Sequence, residues 1–112
     1  MSRNIIRAVR DGCKSQYEKK EYCERCGAKE ELVFHHFHTV SLVIERFLVG
    51  REGLPLDEFR SAIYAAHRSE LIEDGVTLCV SCHHKLHKIY GMKPSLLTAE
   101  KQRRWIQITK EI

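Results

Sequence analysis

Two Cys-x-x-Cys pairs, Cys23-Glu24-Arg25-Cys26 and Cys79-Val80-Ser81-Cys82, limit what this chain can fold into more than anything else in it. A zinc ion prefers a tetrahedron of thiolates, and each such turn presents two sulfurs to one ion. In a reducing compartment, paired motifs of this kind read as metal ligands rather than as disulfides. The pairs stand far apart in the sequence, so a shared ion ties distant segments together. Binding energies of roughly 10–16 kcal/mol at such sites rival the whole stability of a small domain. With 112 residues the chain reads as a single domain, 1–112, whose core is modest and gains from a staple. Gly27, directly after the first pair, suits a tight backbone turn around a metal. The fifth cysteine, Cys13, has no such partner and reads as a structural or free thiol.

The formal charge is +4 at pH 7, with a pI near 8.9. Four thiolates on one zinc ion carry about −2, and a second divalent cation returns the same charge. Net charge by itself therefore says little about an acidic partner. No apolar run is long enough to span a membrane. Met1-Ser2-Arg3-Asn4 leads into a charged segment with no apolar signal-peptide core, so an intracellular location is expected.

Periodicity gives a coarse order of elements. Ile5, Ile6, Val9 and Cys13 recur at helical spacing within a basic N-terminal segment, predicting a helix in 1–21. Leu32-Val33-Phe34 is a short β-prone run that ends in His35-His36. A helix follows with Val40, Val43, Ile44, Phe47 and Leu48 on one face, stopped at Gly50. Pro55 opens another, with Leu56, Phe59, Ile63 and Ala66 facing inward. Asp74-Gly75 signals a turn before the strand Val76-Thr77-Leu78. The run from His83 to Tyr90 reads as a helix ended by Gly91, with Pro94 beyond. A last helix is predicted over 98–111, packing through Trp105, Ile108 and Ile112.

Two histidine groups flank these elements. In His83-His84-Lys85-Leu86-His87, residues four apart share a helix face, so His83 and His87 can meet one ion. His84 and His87, three apart, can converge too, and periodicity does not choose between them. His35 and His36 are adjacent at a strand end, where neighbours point to opposite sides. One imidazole can then bind a metal while the other does a separate job. His38 and His67 have no partner at informative spacing and read as structural or exposed.

The order of these parts, in CERCGAKEELVFHHF and DGVTLCVSCHHKLHKIYG, resembles the HNH endonucleases, in particular the small phage-type and homing enzymes with a helical insert. The resemblance covers residues 22–91. It implies an α+β fold: a small ββα-metal (His-Me finger) core with zinc knuckles and flanking helices. It further implies that Cys23, Cys26, Cys79 and Cys82 hold a structural Zn2+. By the same resemblance His35, His83 and His87 hold one catalytic divalent cation (Mg2+, Mn2+ or Ni2+), and His36 is the general base that activates water. The expected activity is metal-dependent DNA endonuclease, nicking or cleaving duplex DNA. A homodimer would be needed only if both strands are cut. The rival expectation is a zinc-stapled DNA-binding module with a decayed catalytic site.

One departure stands out. Where the family carries an asparagine, at the start of the second strand, this chain has Asp74, and Asn4 is its only asparagine. Asp keeps acceptor oxygens but loses the amide donor and adds charge. The resemblance gives Asp74 a place in the catalytic site, orienting His36, capping the turn or touching the metal. Lys85, Lys88, Arg103 and Arg104 are the candidate phosphate contacts.

Overall fold

The computed structural model describes residues 3–109. Among them lie helix α1 (Arg3–Lys14), strand β1 (Leu32–His36), and helices α2 (Val40–Leu48) and α3 (Leu56–Arg68). A π-helical turn (Ser69–Glu73), strand β2 (Gly75–Cys79) and helix α4 (Val80–Tyr90) follow. A 3-10 turn (Leu96–Thr98) then leads into helix α5 (Ala99–Ile108). The fold is a small α+β arrangement around one two-stranded antiparallel sheet. None of these helices is long and apolar enough to cross a membrane.

β1 and β2 pair in a register that sets Leu32 opposite Cys79 and His36 opposite Gly75. The strands close together because Gly75 has no side chain: a Cβ there would meet the Phe34 ring and the His35 carbonyl. β1 runs through both histidines instead of stopping before them. β2 passes into α4 without a loop, since Cys79 ends the strand and caps the helix, its sulfur accepting from the Cys82 N–H at 3.4 Å. α4 therefore starts within the second cysteine pair, three residues before His83.

The buried apolar residues fall into two clusters. One joins Val9 and Cys13 of α1 to Val40, Val43, Ile44 and Phe47 of α2 and to Phe59 and Ile63 of α3. Gly12 costs helix propensity, roughly 1 kcal/mol against alanine, but a Cβ there would strike the Tyr64 ring, so its absence lets α1 close on α3. The Tyr64 hydroxyl donates to the Val9 carbonyl at 2.8 Å across that contact. The other cluster surrounds β2 and α4 with Cys23, Phe37, Leu78, Leu86, Ala99 and Ile106. The insert 37–74 between the strands thus builds a second core beside the sheet.

Two expectations need correction. In α3, Leu56 is 41% exposed and Ala66 is also exposed, leaving Phe59 and Ile63 as the inward pair. In α5, Ile108 is 67% exposed, and the buried stripe is Ala99, Gln102 and Ile106. Both stripes have helical spacing, and the true one was hidden because a polar Gln102 sits at its centre. Glu111 and Ile112 lie outside the described residues. The turn expected at Asp74-Gly75 is present in another form: Asp74 closes the π-helical turn directly before β2, its N–H donating to the Ser69 carbonyl at 2.7 Å.

Candidate metal centre

The first cysteine pair sits on a turn made by two backbone bonds, Cys23 N–H to Ala28 O at 2.7 Å and Gly27 N–H to Cys23 O at 2.8 Å. Gly27 takes φ 82°, a left-handed conformation that glycine adopts freely. The turn is fastened to β2 around Thr77. Its carbonyl accepts from the Glu24 N–H at 2.8 Å, and its own N–H donates to Glu24 Oε2 at 2.7 Å. This brings Cys23 and Cys26 to Cys79 and Cys82, with all four sulfurs within 4.8 Å of one another. Cys26 and Cys79 are 3.7 Å apart at sulfur. A tetrahedron with metal–sulfur bonds of about 2.3 Å has edges of about 3.8 Å, so the donor set fits a thiophilic ion. Burial raises the Cys23 thiol, but N–H groups of Cys26, Cys79 and Arg25 outweigh it and hold the pKa down to about 6. Arg25 donates to Cys82 Sγ at 3.3 Å while its guanidinium lies 4.6 Å from the Trp105 ring centre.

A second group follows directly on the first. His35 of β1 and His83 and His87 of α4 bring ring nitrogens within 4.8 Å of one another. His83 Nε2 and His87 Nε2 are 2.9 Å apart. The choice left open by periodicity falls to His83, while His84 faces solvent. His87 Nδ1–H donates to the Gly91 carbonyl at 2.7 Å, which leaves Nε2 with the lone pair. His35 is buried, and its Nε2 meets Gln102 Oε1 at 2.7 Å. The Gln102 amide cannot turn round, because its NH2 donates to the Phe37 carbonyl at 3.3 Å and to Thr98 Oγ1 at 2.9 Å. Its oxygen must therefore accept from His35, and His35 Nδ1 keeps the lone pair. Burial, against the Gln102 bond and with help from His83 and His87, lowers the His35 pKa to about 4. Burial and the neighbouring His87 and His84 do the same for His83, again to about 4. Both rings are neutral at pH 7, the form that ligates metal.

His36 leaves this group and does something else. Its Nε2–H donates to the Leu71 carbonyl at 2.9 Å, from within the π-helical turn, so Nδ1 carries the lone pair. The edges of Tyr17 and Phe34 hold the ring, at centroid distances of 5.7 Å and 5.1 Å. Burial lowers its pKa, Arg10 lowers it further, and the Leu71 bond opposes both. His36 and the three grouped histidines line one cavity of about 310 Å³, which Arg10 and Lys14 of α1 also line.

Asp74 is not engaged with His36. One carboxylate oxygen pairs with Arg103, and the other lies 3.4 Å from His38 Nδ1. No hydrogen bond or ion pair joins Asp74 to His36 among the described residues, and of the roles the resemblance left open its place is at the end of the turn before β2. Of the proposed phosphate contacts, Arg103 is committed to Asp74 and Glu100, with its guanidinium 4.8 Å from the Phe37 ring centre. Lys85, two residues from both His83 and His87, lies on the far side of α4 from those histidines. Lys88 and Arg104 are exposed. Gln102, the Leu71 carbonyl, Arg10 and Lys14 were not singled out in the sequence. Only the last two left a signal there, the spacing of Arg7, Arg10 and Lys14 along one face of α1.

No solved structure matches the chain. A family model described as the Nicking endonuclease family, of phage T5, matches residues 1–112. The match runs from the basic helix α1 through the cysteine and histidine groups to the C-terminal end, and by it the chain belongs to the phage T5 nicking endonuclease family.

Proposed function

We propose that the protein nicks DNA by metal-assisted hydrolysis of a phosphodiester, with His36 as general base and His35, His83 and His87 as ligands of the catalytic ion. The carrying observation is that a neutral, oriented imidazole and a three-nitrogen ligand group line the same cavity. The four cysteines hold a structural zinc ion, and β1, β2 and α4 make up the ββα-metal core of the HNH pattern. When bound, the catalytic ion supplies a Lewis acid for the phosphoryl oxygen and for charge on the departing 3′-oxygen. The chain supplies the rest. His36 accepts a proton from water at Nδ1, and the Leu71 carbonyl keeps that nitrogen turned away from its own hydrogen bond. Attack on phosphorus with loss of the 3′-oxygen leaves 5′-phosphate and 3′-hydroxyl ends. One such cavity cuts one strand per encounter, so a monomer suffices for a nick.

The test is conversion of supercoiled plasmid to open circle by zinc-loaded protein with added nickel, manganese or magnesium. An all-imidazole ligand set favours a transition ion such as nickel over magnesium. Intact plasmid with all three ions would refute the proposal.

Gln102 enters as the partner that fixes His35. Gln102→Met keeps the packing but leaves the His35 N–H and the Phe37 carbonyl unpaired. Affinity at the histidine site is expected to fall about 10- to 100-fold, while the cysteine-bound ion stays. Calorimetric titration of nickel or manganese reads the difference, and an unchanged affinity would return Gln102 to a packing role.

Asp74 acts at one remove. Its pairing with Arg103 pins α5, which carries Gln102, beside the start of β2. Asp74→Asn is expected to lower stability by about 1–3 kcal/mol without moving the acid limb of the pH–rate profile. A shifted limb would instead place Asp74 in electrostatic contact with His36.

A further inference from the structure

One face of α1 carries charge and another carries the core. Val9 and Cys13 are fully buried, while Arg7, Arg10 and Lys14, spaced three and four apart, form an exposed basic stripe. Neither Arg7 nor Arg10 makes an ion pair among the described residues. Lys14 stands 3.8 Å from Asp11, with both side chains well exposed, a pair that water screens and a phosphate can displace. The stripe is not remote from the chemistry. Arg10 and Lys14 line the cavity that holds all four candidate catalytic histidines. Arg103, by contrast, already has carboxylates on its guanidinium.

We propose that α1 is the DNA-docking element, with Arg10 and Lys14 gripping the backbone phosphates at the bond to be cut and Arg7 gripping the next phosphate outward. This rests on the nuclease reading above for its substrate. The dimensions agree. Arg7 to Lys14 is seven residues, a rise of about 10 Å, enough to follow three successive phosphates that advance about 3.4 Å each along the duplex axis. Such a track reads charge and not base identity, so it aligns a strand in the cavity without choosing a sequence.

The test measures binding of a fluorescein-labelled 30-base-pair duplex by anisotropy across a salt series, with zinc-loaded protein and no other divalent ion. Arg7→Ala/Arg10→Ala/Lys14→Ala is expected to reduce the slope of log K against log salt by about two to three, at about 0.9 per phosphate contact. Affinity near 0.1 M salt should fall at least tenfold, with an unchanged melting temperature. Lys29→Ala, an exposed cation on the cysteine turn, should leave the slope as it is. Arg10→Ala alone should also slow plasmid nicking at saturating DNA, whereas Arg7→Ala should weaken binding only. An unchanged slope in the triple variant would overturn the proposal even if the wild type nicks plasmid. Equal slope changes for Lys29→Ala and Arg10→Ala would also overturn it, since the effect would then be diffuse charge. A wild type that nicks nothing, with a triple variant that still loses two to three units of slope, would retain α1 as the docking element and reject the nuclease.

Discussion

Cys79→Ser is expected to cost the protein its fold. The residue ends β2, pairs across the sheet with Leu32, caps α4 and offers a sulfur to the four-cysteine site. Removing that sulfur opens the tetrahedron, and the site's binding energy of about 10–16 kcal/mol is as large as the roughly 5–15 kcal/mol by which a small domain is stable. The first cysteine turn then loses its anchor, and the cluster of Cys23, Leu78, Leu86 and Ile106 loses its seam. Because the variant will be hard to isolate folded, the same prediction is read on the wild type. A strong chelator should melt the tertiary structure as it withdraws one zinc ion per chain, and added zinc should restore it. Near-ultraviolet circular dichroism and a colorimetric zinc indicator follow the two events. A folded, zinc-free protein would show that the four thiols are merely buried neighbours.

His36→Ala should leave the fold and both ion sites in place and remove nicking. Its Nε2 is bound to the Leu71 carbonyl and it is not one of the three grouped ligands, so truncation removes a base and no ligand. A lost general base costs typically 10²- to 10⁴-fold in rate, which brings plasmid conversion down to a trace. DNA affinity and bound-metal content should match the wild type. The pH dependence follows from the same ring. Burial and Arg10 hold its pKa below the ordinary 6.5, so the rate should plateau by neutral pH and fall only on the acid side of 6.5. Arg10→Ala removes one of those causes, so the pKa rises and the acid limb shifts towards neutral. Wild-type rates from the His36→Ala protein would end the assignment.

The two groups of candidate ligands were legible because short spacing within a turn or helix brings side chains together locally: Cys-x-x-Cys, and His83 with His87. Most helices were legible for the same reason, their apolar residues repeating every three or four positions, as Val40, Val43, Ile44 and Phe47 do. What escaped was carried by long-range or backbone geometry. Gln102 looks like an outward polar residue until α5 is laid against β1, and only then does its amide meet His35. The Leu71 carbonyl is offered to His36 by a π-helical turn, and no side-chain type announces that turn. Asp74 was given a place in the catalytic site because it stands where the family carries its asparagine. Arg103 arrives from a distant helix and takes the carboxylate away.

Cys82 and His83 are consecutive residues near the start of α4. On the proposed reading, one ion's last ligand is the immediate neighbour of the other ion's first helical ligand, and the two loadings are expected to be ordered. Zinc would firm α4 and so set His83 and His87 at bridging distance, and the chemically idle ion would then govern whether the active one can be kept. Activity should therefore follow zinc supply as steeply as it follows the catalytic cation. A protein emptied of both should regain function when zinc is returned first, and more slowly when it is returned second.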